Sequence, residues 1–218
     1  MGNILHKCAI LQRHMDCNTL LVDYRGYGNS QGSPSESGLR LDALSAADFL
    51  GNLASEGRIA ADRVFVMGQS LGGAVATWLT SQRPALFAGL IVENTFTSIE
   101  DMAVQLAGHV MPVSRFERAL RIFLQLFMTS FWRSIDIMPT LQAPVLFISG
   151  LKDEFVPPAQ MQRLFEAAPG VPDVDKVFLG IPGGTHNATD ANQGAEPYYG
   201  GIAAFAQRYR KAKVSSSE

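Results

Sequence analysis

The chain has 218 residues, 47% of them hydrophobic and 17% charged, with a formal net charge of −2. That length suits one domain with a sizeable core, and the near-neutral balance without a cationic stripe excludes a nucleic-acid-binding surface. No apolar run reaches the about 18 residues of a membrane span, and no leader-like segment precedes the first helical pattern, so the chain as written reads as soluble and intracellular.

In chain order, Ile4 to His14 reads as a helix with Ile4, Leu5, Cys8 and Leu11 on one face. Cys8 and Cys17 cannot build a disulfide framework and are expected to be buried thiols. Thr19 to Asp23 reads as a strand, followed by a turn-rich loop through Arg25-Gly26-Tyr27-Gly28 and Gly32-Ser33-Pro34. Ser37 to Ala54 is a second helix, with Leu39, Leu41, Leu44, Ala47, Leu50 and Leu53 at helical spacing.

Val64-Phe65-Val66-Met67 then forms a short apolar strand that runs into Gly68-Gln69-Ser70-Leu71-Gly72, with a helix continuing through Ala74 to Thr80. A serine at such a strand-to-helix turn is held in a strained conformation with its hydroxyl exposed, and the flanking glycines avoid collisions with strand and helix. The helix N-terminus favours developing negative charge. Ser70 is therefore a candidate nucleophile.

Further strands are expected at Gly89 to Glu93, Pro144 to Ser149 and Lys176 to Leu179, and helices at Pro158 to Ala167 and Pro197 to Lys211. Strands separated by helices imply parallel pairing, and the continuous apolar runs imply a sheet covered on both faces. Residues 1–212 read as a single domain and 213–218 as a flexible tail. The interval 97–139 carries no strand signal and is rich in large apolar residues with Arg115, Arg118, Arg121 and Arg133 between them. It reads as one or two helices packed on the body, as a cap lining an apolar substrate site, or as a membrane-facing patch.

A serine needs a base, usually a histidine oriented by a carboxylate. Only His186 lies in a loop after a late strand; His6 and His14 fall on the first helix and His109 in the apolar interval. Asp153 and Glu154 follow the fourth of the strands above, where open sheets gather their sites. Asp153 is preferred for its shorter side chain and its place before Phe155-Val156-Pro157. Glu154 is the near competitor, Glu93 a weaker one with a structural role beside Asn94, and Asp190 is expected to be exposed. The backbone N–H of Leu71 supplies one oxyanion donor.

The blocks Val22-Asp23-Tyr24-Arg25-Gly26-Tyr27-Gly28, Gly68-Gln69-Ser70-Leu71-Gly72-Gly73-Ala74, Val92-Glu93-Asn94-Thr95-Phe96, Phe147-Ile148-Ser149-Gly150-Leu151 and Gly184-Thr185-His186-Asn187 together resemble the α/β-hydrolase domain-containing protein 13 family. The resemblance runs over roughly residues 2 to 210. It implies an α/β-hydrolase fold with a mostly parallel sheet and helices on both faces, and a triad falling on Ser70, Asp153 and His186. Members of that family begin with a membrane-anchoring helix, early strands and a loop that gives the second oxyanion donor. Met1-Gly2-Asn3-Ile4 resembles the tail of that loop. On this reading the chain is an N-terminally truncated member lacking the early strands, including the central third strand, and is expected to be poorly stable and weakly active. A full-length parent is expected to be membrane-anchored.

The expected activity is that of a serine hydrolase cleaving carboxylic esters or thioesters through an acyl-enzyme, without a metal or organic cofactor. The resemblance points to small ester, lipid-like or acylated-protein substrates and to peripheral membrane contact. Two alternatives stand beside it: an inactive scaffold or interaction protein, for which the absent oxyanion loop speaks, and a serine peptidase of the same fold.

Overall fold

The structure is a computed structural model that describes residues 2–110, 120–121, 124, 131–190 and 194–209. The readings placed on 111–119, 122–123, 125–130 and the tail lie outside the described residues. Among those described, the helices are α1 (Gly2–Met15), α2 (Glu36–Ser55), α3 (Leu71–Gln82), α4 (Ile99–Val110), α5 (Ser134–Ile137), α6 (Pro158–Glu166) and α7 (Ala195–Tyr209). The strands are β1 (Phe65–Gln69), β2 (Gly89–Glu93), β3 (Val145–Gly150) and β4 (Lys176–Ile181). They form one parallel sheet in the order β1-β2-β3-β4.

Parallel pairing forces each connection to cross back over the sheet, so both faces are covered. The period-two alternation of the strands divides the core accordingly. Leu90, Val92, Val145 and Phe147 pack with Ala76 of α3 and with Met161 and Leu164 of α6. Ile91, Leu146 and Ile148 pack instead with Leu11 of α1 and with Tyr198, Tyr199, Ile202 and Phe205 of α7. A third cluster joins α2 to α3 through Leu39, Ala43, Ala47, Val75 and Leu79, and takes in Trp132.

Local chemistry sets the element ends. Ser35 caps α2 by accepting a hydrogen bond from the Gly38 N–H at 3.0 Å. The turn after residue 24 is pinned to α2 by Arg25, whose guanidinium and backbone N–H both bind Asp42. Glu36, in the first turn of α2, accepts from the N–H groups of Phe131 and Trp132 at 2.7 and 3.2 Å, which brings the far end of the 97–139 interval onto α2. Two of that interval's arginines are ion-paired: Arg121 and Arg133 both reach Glu100 of α4.

The expected strand at Thr19 to Asp23 does not form. The segment has no ladder partner among the described residues, and Leu20, Leu21 and Val22 are 48%, 45% and 40% exposed. Its residue types favour an extended, half-buried surface, but a strand exists only through its hydrogen-bonded neighbour. Among the described residues, β1 lies at the edge of the sheet and is paired with β2 alone. Cys8 and Cys17 are half-buried, short of the full burial expected for them, and Cys17 Sγ lies 3.8 Å from the Leu11 carbonyl.

Phe147 lies at the centre of the sheet, fully buried and in edge contact with Phe165 at 5.5 Å between ring centroids. Phe147→Ala is expected to destabilise the fold by about 3–5 kcal/mol, read from chemical denaturation with an unchanged slope.

Candidate active site

The registers Gln69↔Glu93, Glu93↔Ile148 and Gly150↔Ile181 bring the C-terminal ends of all four strands to one edge of the sheet. Ligand sites of open parallel sheets lie beyond this edge, and here it carries the loops holding Ser70, Asn94, Asp153 and His186.

Ser70 stands between β1 and α3 with φ 53° and ψ −121°, a conformation rare for a residue with a side chain. Its N–H donates to the Glu93 carbonyl at 2.9 Å, and its own carbonyl accepts from the Gly73 N–H and from the Thr95 hydroxyl at 2.7 Å. Its side chain makes no capping bond to α3, which leaves the hydroxyl to the cavity beside it. A Cβ at Gly68 would sit 2.0 Å from the Gly72 carbonyl oxygen, so the turn can be this tight only with glycine there. Leu71 opens α3, where a backbone N–H lacks an intrahelical acceptor.

His186 is brought to Asp153, with Nδ1 and Oδ2 2.8 Å apart. The other carboxylate oxygen of Asp153 accepts from the N–H groups of Phe155 and Val156, both at 2.8 Å, so the acid is fixed from two sides before it meets the imidazole. The His186 imidazole is held above its ordinary value, chiefly by the Asp153 hydrogen bond. Partial burial opposes this, and the charges of Asp153, Glu154 and Glu93 add to it. Phe155 packs edge-on against the ring at 5.4 Å.

Ser70 and His186 line one cavity of about 330 Å³, whose remaining wall is Phe96, Ile99, Met102, Phe155, Val156 and Asn187. The Ile99 and Met102 side chains come from α4, so part of the 97–139 interval borders the site. Among the described residues no cluster of three or more His, Cys, Asp or Glu is arranged to hold a metal ion.

The competing acids are placed elsewhere. Glu154 is exposed and accepts from the backbone N–H of His186 at 3.5 Å, away from the ring nitrogens. Glu93 is 1% exposed and is engaged by Lys7 at 3.2 Å and by the Tyr198 hydroxyl at 2.6 Å. Burial, with the Glu93 charge adding, pushes Tyr198 well above the usual phenol range. Asp190, expected to be exposed, is half-buried because Lys7 at 3.4 Å and the Tyr199 hydroxyl at 2.6 Å hold it. His6 is exposed, and so is His14, which stacks on Tyr199. The side chain of His109 lies outside the described residues.

Two residues of this edge had not stood out as functional in the sequence. Gln69 donates through Nε2 to the carbonyl of His186 at 2.5 Å, and Asn94 reaches the same carbonyl at 3.1 Å. Both lie next to candidate residues, Gln69 before the serine and Asn94 after Glu93. Only the three-dimensional return of the 185–189 loop reveals what they hold.

Two outcomes test this geometry. Gly68→Ala is expected to cost about 3 kcal/mol or more in stability, while Gly72→Ala, whose Cβ would meet nothing within 4 Å, should be close to neutral in the same denaturation experiment. Asp153→Asn is expected to lower the His186 titration midpoint followed by imidazole NMR, since the hydrogen-bonded anion that raises it is gone. Because the folded value is raised, the pair's stabilisation is present in full below the ordinary histidine value of about 6.5 and is lost as pH rises through the folded value. Asp153→Asn should therefore destabilise more at acidic than at alkaline pH.

Comparison with known proteins agrees with this architecture. The sequence profile of the prolyl oligopeptidase family matches residues 41–213. The chain is 37% identical to the α/β hydrolase domain-containing protein WAV2 of Arabidopsis thaliana over 97% of its own length and 68% of the relative's. It is 38% identical to the protein bem46 of Schizosaccharomyces pombe, covering 94% of itself and 62% of that protein. An uncharacterized membrane protein of Saccharomyces cerevisiae is 36% identical over 88% of this chain and 64% of its own length, so the chain spans about two thirds of these relatives. Among solved structures, the DcsB complex with its substrate analogue superposes with a TM-score of 0.61 at 16% identity, covering 86% of this chain and 79% of that one. The Pyrococcus furiosus esterase PF2001 does so with 0.60 at 18% identity, covering 85% and 67%. By sequence and by fold, the chain belongs to the α/β-hydrolase domain-containing proteins, a family that points to a hydrolase.

Proposed function

We propose that the chain is a serine hydrolase that cleaves carboxylic esters or thioesters through an acyl-enzyme on Ser70. The observation that carries this reading is the Asp153–His186 pair, hydrogen-bonded at 2.8 Å, whose imidazole lines the cavity that is also lined by the strained Ser70.

In this reaction the Ser70 hydroxyl oxygen attacks the carbonyl carbon while His186 takes its proton through Nε2. Asp153 accepts from Nδ1–H, fixes the tautomer and stabilises the imidazolium. The oxyanion of the tetrahedral intermediate receives the Leu71 N–H at the positive end of α3. Collapse expels the alkoxide or thiolate, which leaves with the proton from His186. Water deprotonated by the same imidazole then attacks the acyl-serine and releases the carboxylic acid.

The apolar wall of Phe96, Ile99, Met102, Phe155 and Val156 favours an acyl group of hydrocarbon character, as in lipid esters or S-acylated proteins. Such substrates agree with contact at a membrane surface. Among the described residues no helix is long and apolar enough to cross a membrane. A peptidase reading is favoured by the family profile alone, whose described family is prolyl oligopeptidase. It uses the same three side chains and differs in preferring peptide anilides to nitrophenyl esters.

A fluorophosphonate probe is expected to label the protein covalently, and Ser70→Ala to abolish the labelling. Asp153→Asn should lower kcat for a nitrophenyl ester by a factor on the order of 10⁴, and activity should fall on the acid side as His186 protonates. Absence of labelling in folded wild type would falsify the hydrolase reading, and labelling that survives Ser70→Ala would remove Ser70 as nucleophile.

A further inference from the structure

The 185–189 loop follows β4, and its His186 must return to within reach of two groups supplied by other strands. One side chain sits at the centre of that return. Asn94 follows β2, is 1% exposed and adopts φ 45°, a left-handed conformation that costs about 1–2 kcal/mol for an ordinary L-residue. Asparagine is among the few side chains that tolerate it. Strain of this kind at the edge of a candidate site invites the question of what holds it there.

The hydrogen bonds answer it. The Asn94 Oδ1 accepts from the Gly150 N–H at 2.8 Å, at the end of β3 and three residues before Asp153. Its Nδ2 donates to the carbonyls of Thr185 at 3.2 Å and His186 at 3.1 Å, and to the Thr189 hydroxyl at 2.8 Å. The amide orientation is fixed by chemistry, because Gly150 offers a donor while the two carbonyls can only accept. Asn94 thus ties the root of the aspartate loop to the histidine loop through one planar group.

The same turn also holds the serine. Glu93, one residue earlier, accepts from the Ser70 N–H, and Thr95, one residue later, donates to the Ser70 carbonyl. Gln69, immediately before the serine, donates to the His186 carbonyl beside Asn94.

We propose that Asn94 is a positioning residue for the hydrolytic reaction, setting the place of His186 relative to both Asp153 and Ser70. The proposal rests on the serine hydrolase reading given above. It assigns Asn94 no contact with substrate; its effect passes through the backbone of residues 185 and 186. A misplacement of catalytic groups by about 1 Å can cost on the order of 10²-fold in rate, whereas a residue that only completes a turn changes the amount of folded protein and leaves the turnover of each folded molecule alone.

The test uses the whole chain with Asn94→Gly, which keeps the positive φ without strain, and Asn94→Asp, which keeps the φ preference and the acceptor for Gly150 but loses the amide donors. For a nitrophenyl ester, kcat per folded molecule is expected to fall about 10- to 100-fold in both, with KM within about twofold of wild type. The fluorophosphonate labelling rate should fall in step. If Asn94→Gly does not fold, Asn94→Asp carries the test. Thr189→Val, which removes one partner of the Asn94 amide, should give a smaller loss of the same kind. Ser70-dependent turnover in wild type with unchanged kcat in a folded Asn94 variant overturns the role of Asn94 and leaves the hydrolase reading standing. A folded wild type with no Ser70-dependent turnover overturns both.

Discussion

The arrangement at the C-terminal edge depends on the relative level at which the parallel strands end, β3 and β4 running two residues beyond β1 and β2. Backbone hydrogen bonding fixes that level: Gln69 lies beside Glu93, Glu93 beside Ile148, and Gly150 beside Ile181. A register shift of one residue in any strand would reverse which side chains face each helical layer. The alternation of Leu90 and Val92 against Ile91, and of Phe147 against Leu146 and Ile148, makes such a shift costly. The core therefore does more than stabilise the sheet; it sets the relative heights from which the serine, aspartate and histidine loops depart.

From those heights, short-range chemistry finishes the site. The aspartate is immobilised by two backbone donors before it meets the imidazole, and the serine backbone is held by the carbonyl of Glu93 and the hydroxyl of Thr95. Electrostatic preorganisation of this kind is effective because the groups need not reorganise when charge develops. The carboxylate of Glu93, close enough to influence His186, is compensated by Lys7 and Tyr198. That compensation explains why a second buried acid can lie near the site without competing for its histidine.

Much of this was legible in the residues. The Gly68–Gly72 pattern between an apolar strand and a helix pointed to Ser70, and the loops after late strands pointed to Asp153 and His186 as candidate partners. The buried strands declared themselves as apolar runs, and β2 fell on the residues expected. What the residues could not show was pairing. Leu20, Leu21 and Val22 have strand-forming character and yet stay exposed, because strand formation depends on a neighbour elsewhere. Asp190 looked like a surface acid until Lys7, far away in sequence, came to lie beside it. Asn94 carried no motif of its own; its importance lies in partners 56 to 95 residues away.

The ion pair and hydrogen bond on Glu93 also have a consequence for the order in which the molecule can be completed. Glu93 lies on the second strand of the sheet, but its hydroxyl partner Tyr198 and the histidine loop are both encoded more than 90 residues later. A ribosome makes the chain from the N-terminus, so the Ser70 turn emerges long before the groups that satisfy its neighbour and the loop that carries His186. Until α7 emerges, α1 alone contributes to the layer that buries Ile91, Leu146 and Ile148, and Glu93 lacks the Tyr198 hydroxyl it will later be sealed in with. Vectorial synthesis thus separates the birth of the Ser70 turn from the arrival of His186, and the nascent chain carries that turn without the histidine of its cavity until its last third has been translated.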